Sequence, residues 1–143
     1  MSSEEFNRYK RFADALIKGD LEELEALTTE TFSANLGTGL EKLNREQLLA
    51  EIARQKEGMP DLGKNVSIQQ HGIDKAGRLV VRLINHATFT GTLRSRHPRG
   101  GSVKGDGRKV SMWQRDIVTF KDGEISTFQV IAESGDNFAQ LFG

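Results

Sequence analysis

The sequence predicts an α+β domain in which three N-terminal helices pack on a strongly curved antiparallel sheet, so that the two layers form a conical α+β barrel. Three observations carry this prediction. Apolar residues recur at three- and four-residue steps as far as Gly58, and they alternate with polar residues from Lys64 onward. Asp122-Gly123 then marks a tight turn between two strand-like runs, because both residues tolerate a positive φ.

Three amphipathic helices are predicted in the N-terminal part of the chain. Asp20 can cap the second helix, with Glu23 completing a capping box. Asn44 followed by Gln47 is the same signature for the third helix, which ends near Gly58. The apolar stripe of the first helix consists of Phe6, Tyr9, Phe12, Ala13, Leu16 and Ile17.

Strand patterns fill most of the remaining chain. A short extended piece around Phe32 precedes the third helix, and Val66 and Ile68 belong to the first strand of the main sheet. A turn at residues 74–77 leads into a long strand over about residues 78–93. The side of this strand that we assign to the core is formed by Leu79, Val81, Leu83, Asn85, Ala87 and Phe89.

The two strands from Val110 to Glu133 form the hairpin around which the chain is organised. Successive side chains of a strand point to opposite faces, so Asp116 shares a mostly apolar side of the first arm. On the second arm we assign the odd-numbered residues from Ile125 to Glu133 to the same cavity. The apolar side of the first arm is formed by Val110, Met112, Gln114, Asp116, Val118 and Phe120.

Length and composition bound the class of protein. The 143 residues fit one domain spanning residues 1–143, and 20 bases against 20 acids create no overall field that favours nucleic acid or an anionic membrane. The absence of cysteine excludes disulfides, thiolate metal sites and a cysteine nucleophile. No apolar run approaches the ~18 residues of a membrane span, and the amino terminus lacks an apolar signal core, so we expect a cytoplasmic protein.

Neither the histidines nor the basic loop predicts a metal or nucleic-acid site. His71 and His97 have no carboxylate or third histidine at ligand spacing, so we expect no metal and no cofactor. The loop at residues 94–109 holds six bases against Asp106 alone, which would suit an anionic ligand or a solvated loop. It contains no aromatic residues on which bases could stack.

Asp116 is the principal candidate for chemistry. A carboxylate among methyl and aryl groups is costly to bury without a partner, so Asp116 needs a hydrogen-bonding neighbour, a raised pKa or a catalytic task. A structural role, in which a neighbouring arginine or amide satisfies the carboxylate, is an equal alternative. Glu133 is the second candidate, against the alternative of a solvated strand end.

Four short motifs resemble the nuclear transport factor 2-like superfamily, and within it the SnoaL-like polyketide cyclases. They are GDLEELEAL at residues 19–27, PD at residues 60–61, ATFTG at residues 87–91 and DIVTFKDGEI at residues 116–125. The resemblance covers nearly the whole chain. It implies that Asp116 is the catalytic acid/base carboxylate and that Glu133 is a pocket carboxylate. Phe89 stands where the family pattern has a histidine, and Gln129 stands where a tryptophan is usual.

The resemblance and the residues together lead to two functional hypotheses. The first is a cofactor-independent acid/base enzyme, a cyclase or isomerase acting by aldol-type proton transfer on a small, largely apolar carbonyl compound. The second is a binding or association module that uses the same cavity without chemistry. Epoxide hydrolysis ranks lower, because no inward Arg/Asp/Asp set can be assembled. The residues expected to contact a substrate are Asn85, Phe89, Met112, Gln114 and Gln129.

The outer face of the sheet predicts a homodimer. This face would expose more apolar surface to solvent than monomers usually do, so we expect a two-fold contact through it. His86 belongs to the same side, where a subunit contact or solvent is a better assignment than catalysis. The apolar residues assigned to this face are Val80, Ile84, Trp113, Ile117, Phe128 and Val130.

Overall fold

The computed structural model describes residues 2–37, 40–94 and 101–135. His97 and the C-terminal aromatic residues, for which the sequence predicts a short helix or tail, lie outside these ranges. The helices are α1 (Ser2–Lys18), α2 (Leu21–Leu27) and α3 (Arg45–Gly58). The strands are β1 (Thr28–Asn35), β2 (Asn65–Ile73), β3 (Leu79–Phe89), β4 (Thr92–Arg94), β5 (Ser102–Lys104), β6 (Arg108–Lys121) and β7 (Glu124–Gly135).

The five long strands form one sheet in the order β1-β7-β6-β3-β2, and β4 and β5 form a separate two-stranded ribbon. All neighbours in the large sheet are antiparallel except β1 and β7, which run parallel. The predicted α+β class, with three helices and a mostly antiparallel sheet, is confirmed. The sheet is not closed, so β1 and β2 are edges and the layers form an open cone instead of a complete barrel.

Capping explains where the second and third helices begin. Asn44 and Gln47 form a full capping box, each side chain bonding to the other residue's backbone N–H. The Asp20 carboxylate accepts from the backbone N–H of Glu23 at 3.1 Å. The Glu23 carboxylate pairs with Arg11 of α1, so it ties two helices together in place of closing the second capping box.

The inner face of the sheet carries two apolar clusters. The larger lies beneath α1 and α2, and it includes Phe12, Leu24 and Val118. The smaller lies at the far end of β3 and β6, and it includes Met59, Phe89 and Met112. Between them the inner face is polar. We call this region the polar belt, and it is formed by Asn85 of β3 and by Gln114 and Asp116 of β6.

A β-bulge reverses the predicted faces of β7. Thr119 pairs with Thr127 while Phe120 pairs with Ile125, so Ser126 is an extra residue between the two pairs. Its hydroxyl donates to the Thr119 carbonyl at 3.0 Å. Ile125 faces inward as predicted, but beyond the bulge the even-numbered residues face the core.

The prediction for the rest of β7 was therefore wrong. Phe128 and Val130 pack in the larger cluster and do not belong to the outer face. Phe128 contacts Phe12 with the two ring centroids 4.9 Å apart. Gln129 and Glu133, which were assigned to the cavity, face outward. Ile117 does face outward, and it is only 8% exposed within the single chain.

The C-terminal end of α3 holds the β4–β5 ribbon by close backbone contact. The Gly91 N–H donates to the Gly58 carbonyl at 2.9 Å, and the Gly105 N–H donates to the Gly91 carbonyl at 2.7 Å. A Cβ atom on Gly91 would lie 1.9 Å from the Glu57 carbonyl oxygen, so only glycine fits there. Arg94 of the ribbon also pairs with the Glu57 side chain.

Candidate acid/base site

Asp116 lies at the centre of the inner face with both carboxylate oxygens engaged. It is only 4% exposed. The Tyr9 hydroxyl of α1 donates to Oδ2 at 2.6 Å, and the Gln114 amide Nε2 donates to Oδ1 at 2.8 Å. The register places Val81 of β3 and Val130 of β7 on either side of Asp116. A helix and a neighbouring strand residue therefore position a carboxylate that is otherwise surrounded by apolar groups.

This environment changes the acidity of both buried groups. Burial raises the pKa of Asp116 to about 6, and the hydrogen bonds from Tyr9 and Gln114 oppose that rise because they favour the ionised form. Burial also raises the pKa of Tyr9 well above its ordinary value, with the Asp116 charge acting in the same direction. Tyr9 therefore remains a hydrogen-bond donor at neutral pH, while Asp116 can change its protonation state.

The polar belt continues from Asp116 along the inner face. Asn85 accepts a bond from the Gly63 backbone N–H at 3.4 Å through Oδ1, which leaves its Nδ2 as a donor. Gln114 and Asn85 are half-buried. Ala132 pairs with Gln114 and is exposed, so the inner face is open to solvent beside Gln114. The belt therefore joins a buried carboxylate to an accessible surface.

Phe89 and Met112 are held in the smaller apolar cluster. They are 1% and 5% exposed, and they pack with Met59 and Leu62. Met112 pairs directly with Asn85 across the two strands. Both side chains are thus next to the polar belt, and they are packed against neighbours in this structure.

Glu133 and Gln129 are not brought together with Asp116. Glu133 accepts from Arg82 at 3.1 Å and from Arg115 at 3.0 Å on the outer face, and Arg82 contributes most to holding its pKa below the ordinary value. Gln129 pairs with Ile117 on the same outer face. The bulge in β7 is the physical reason for both corrections.

Sequence reasoning missed Tyr9. It appears in the predicted stripe of α1, where it was treated as one of several apolar core residues. The available signal was its hydroxyl group, since a buried tyrosine needs a hydrogen-bond partner and Asp116 was a buried carboxylate in need of one.

Neither a metal centre nor a membrane span is found in the part of the chain that the structure describes. No group of three acidic, histidine or cysteine side chains there could hold a metal ion. Likewise, no helix among the described residues is long and apolar enough to cross a membrane.

Solved structures share this fold at low sequence identity. A proposed SnoaL-like polyketide cyclase from Jannaschia sp. CCS1 superimposes with a TM-score of 0.72 and 18% identity, covering 92% of this chain and 86% of that one. A SnoaL-like polyketide cyclase from Agrobacterium tumefaciens superimposes with a TM-score of 0.62 and 17% identity, covering 89% of each chain. AclR from Streptomyces galilaeus, a proposed hydroxylase, superimposes with a TM-score of 0.67 and 15% identity, covering 93% of this chain and 76% of that one.

Comparison by sequence adds nothing to these matches. No family model matches the chain, and no curated protein matches it. The likeness therefore concerns the backbone, where it extends over nearly the whole chain. The chain has the fold seen in these SnoaL-like polyketide cyclases.

Proposed function

We propose that the protein is a cofactor-independent acid/base enzyme that moves a proton on a small, largely apolar carbonyl compound, as in a cyclase or isomerase. The observation that supports this most directly is Asp116. It is a nearly inaccessible carboxyl group with a pKa of about 6, at the inner end of a polar belt that opens to solvent. Buried carboxylates with such shifts are common at catalytic sites.

The proposed reaction begins with proton abstraction. Ionised Asp116 takes a proton from the carbon next to the substrate carbonyl, and the C–H electrons move to form an enolate. The pKa of about 6 suits this role at neutral pH, because the carboxylate is mostly ionised before the step and becomes an effective acid after it. Asp116 then returns the proton to carbon in an isomerase, or to the alkoxide formed by an aldol addition in a cyclase.

The polar belt would orient the substrate. The free amide hydrogens of Asn85 and the second N–H of Gln114 are donors that can stabilise the enolate oxygen as it gains charge. Tyr9 would keep the Asp116 carboxylate in one orientation without contacting the substrate itself. Phe89 and Met112 would supply apolar contact next to the belt.

Deuterium exchange tests the proposal without knowledge of the natural substrate. A panel of small enolisable ketones is incubated with protein in D2O, and loss of the α-proton signal is followed by ¹H NMR. We expect exchange above the buffer rate for at least one ketone, and its loss in Asp116→Asn. Glu133→Gln is the matched control, since it removes a carboxylate from the outer face and should exchange at the wild-type rate. Equal rates for wild type and Asp116→Asn would refute the proposal.

A binding module without chemistry is the second candidate. It is favoured by Phe89, which is packed in the core at the position where the family pattern has a histidine. A ligand that raises the melting temperature and is recovered unchanged would support this candidate over the enzyme.

We also propose a homodimer formed through the outer sheet face, and a cytoplasmic location. The dimer is supported by half-buried Val80, Ile84 and Trp113, which face outward as predicted. The support is weaker than the sequence indicated, because Phe128 and Val130 face the core.

A further inference from the structure

A cavity of about 570 Å³ lies on the outer face of the sheet, away from Asp116. Its volume is within the usual range for small-molecule sites. We call it the outer trough. The polar side chains that line it include Asp61, Lys64, His86, Thr88, Lys109 and Ser111.

Strand register explains why polar groups collect in the outer trough. His86 pairs with Ser111 and Thr88 pairs with Lys109 across β3 and β6, so all four side chains point outward from the same end of the sheet. The loop between α3 and β2 brings Lys64 to the trough from the side. The trough is therefore built from two ordered strands and one adjoining loop.

The acid in the outer trough is already occupied. Asp61 accepts from the Thr88 backbone N–H at 2.8 Å and from the Thr88 hydroxyl at 3.0 Å, one bond to each carboxylate oxygen. The Thr88 backbone bond is the largest cause holding the pKa of Asp61 below its ordinary value. Asp61 thus fixes the loop against β3, and both its oxygens are engaged in that contact.

The lysines of the outer trough are held less firmly, and the charge of Lys64 makes only the smallest contribution to lowering the pKa of Asp61. Neither Lys64 nor Lys109 forms an ion pair with another described residue. The His86 Nδ1 atom lies 3.0 Å from the Ser111 hydroxyl oxygen. When that hydroxyl donates to Nδ1, the neutral ring carries its proton on Nε2, which is then a donor.

We propose that the outer trough binds a small anion bearing a carboxylate or phosphate group, with Lys64 and Lys109 as its charged contacts and His86 as a hydrogen-bond donor. Two lysines against one occupied acid leave a local excess of positive charge in a concave surface, which concentrates anions. Charge-assisted hydrogen bonds from the two ammonium groups would hold the ligand. This site is independent of the acid/base chemistry proposed for Asp116. It begins two residues along β3 and β6 from Ile84 and Trp113 of the proposed dimer contact, so the ligand would bind beside that contact and not within it.

Titration of the ¹⁵N-labelled protein with inorganic phosphate and with benzoate tests the site, with benzyl alcohol as the uncharged probe. We expect saturable shifts of the backbone signals of Lys64, Thr88 and Lys109 with at least one anion. The anion that binds identifies the ligand class. Signals of Gln114 and Asp116 should not move, which separates the trough from the polar belt. Benzyl alcohol should leave the trough signals unchanged.

A pair of double variants separates a built site from general charge attraction. Lys64→Met with Lys109→Met should weaken binding at least about tenfold, since each lost contact involves a charged group. Lys75→Met with Lys121→Met changes the net charge equally at two exposed positions outside the trough, and should bind like the wild type. No saturable shift with either anion, or equal weakening in both double variants, would overturn the proposal.

Discussion

The bond from Tyr9 to Asp116 gives the sharpest test of the acid/base site. Tyr9→Phe keeps the buried ring and removes only the hydroxyl that donates to Oδ2 at 2.6 Å. The ionised form of Asp116 loses one of its two protein donors, whereas the protonated form loses less. The pKa of Asp116 should therefore rise further above the value of about 6 that it has in the wild type.

The size of this rise follows from the strength of the bond. A hydrogen bond to a charged group contributes about 1.5–3 kcal/mol, and one pKa unit corresponds to about 1.4 kcal/mol, so we expect an increase of about 1–2 units. At pH 7 the wild-type carboxylate is roughly 90% ionised when its pKa is about 6. In the variant this fraction should fall to between about a half and a tenth.

Direct titration measures this prediction without a substrate. The ¹³C signal of the Asp116 carboxyl carbon, assigned by its disappearance in Asp116→Asn, is followed from pH 4 to 9. Phe12→Leu is the control, because it loosens the same helix at a buried position without removing a polar contact to Asp116. A midpoint that stays at the wild-type value or falls in Tyr9→Phe would refute the reasoning. If an active substrate is found, the acidic limb of the pH–rate profile should move by the same amount.

Three further predictions concern stability and the outer face. Asp116→Asn should be more stable than the wild type at pH 7 by up to about 3 kcal/mol, because a pKa raised by about two units penalises the charged folded state. This difference should shrink as the pH falls through 6 toward 4, which urea unfolding at pH 4 and pH 7 can measure. A stability advantage of the variant that is larger at pH 4 than at pH 7 would show that the sign is wrong. Gly91→Ala should lower the free energy of unfolding by more than about 2 kcal/mol, because the added Cβ would clash with the Glu57 carbonyl. Gly72→Ala is the control and should change it little, since an added Cβ there meets nothing within 4 Å. Equal effects of the two substitutions would contradict the close contact at Gly91. Glu133→Gln should cost less than about 1 kcal/mol, since its arginine partners Arg82 and Arg115 are 44% and 42% exposed to water, and a larger loss in thermal unfolding would contradict that view.

Periodicity was enough to predict the helices and the placement of Asp116. The steps of three and four residues that mark α1 are a local property, and so is the alternation that puts Leu79 and Val118 in the core. The capping signature at Asn44 is also local, and it formed as predicted. These features depend only on neighbours within one turn or one strand.

The features that were missed depend on contacts between distant segments. The bulge at Ser126 adds one residue to β7, and this single extra residue exchanges the two faces of the strand from there to Glu133. No local pattern in STFQVIAE marks that position. The parallel pairing of β1 with β7 and the bond from Tyr9 to Asp116 each join segments from opposite ends of the chain. The outer trough likewise could not be predicted without knowing the register between β3 and β6.

The pairing of β1 with β7 has a consequence for how the protein is made. Thr28 lies beside Ile125 in the finished sheet, and Tyr9 reaches Asp116 across 107 positions of sequence. During synthesis on the ribosome, α1 and β1 emerge long before the strands that they must contact. Tyr9 therefore lacks its partner until β6 has left the exit tunnel, and contacts of such long separation form slowly. The contact that positions Asp116 is thus among the last to form, which makes nascent chains of this protein candidates for chaperone binding.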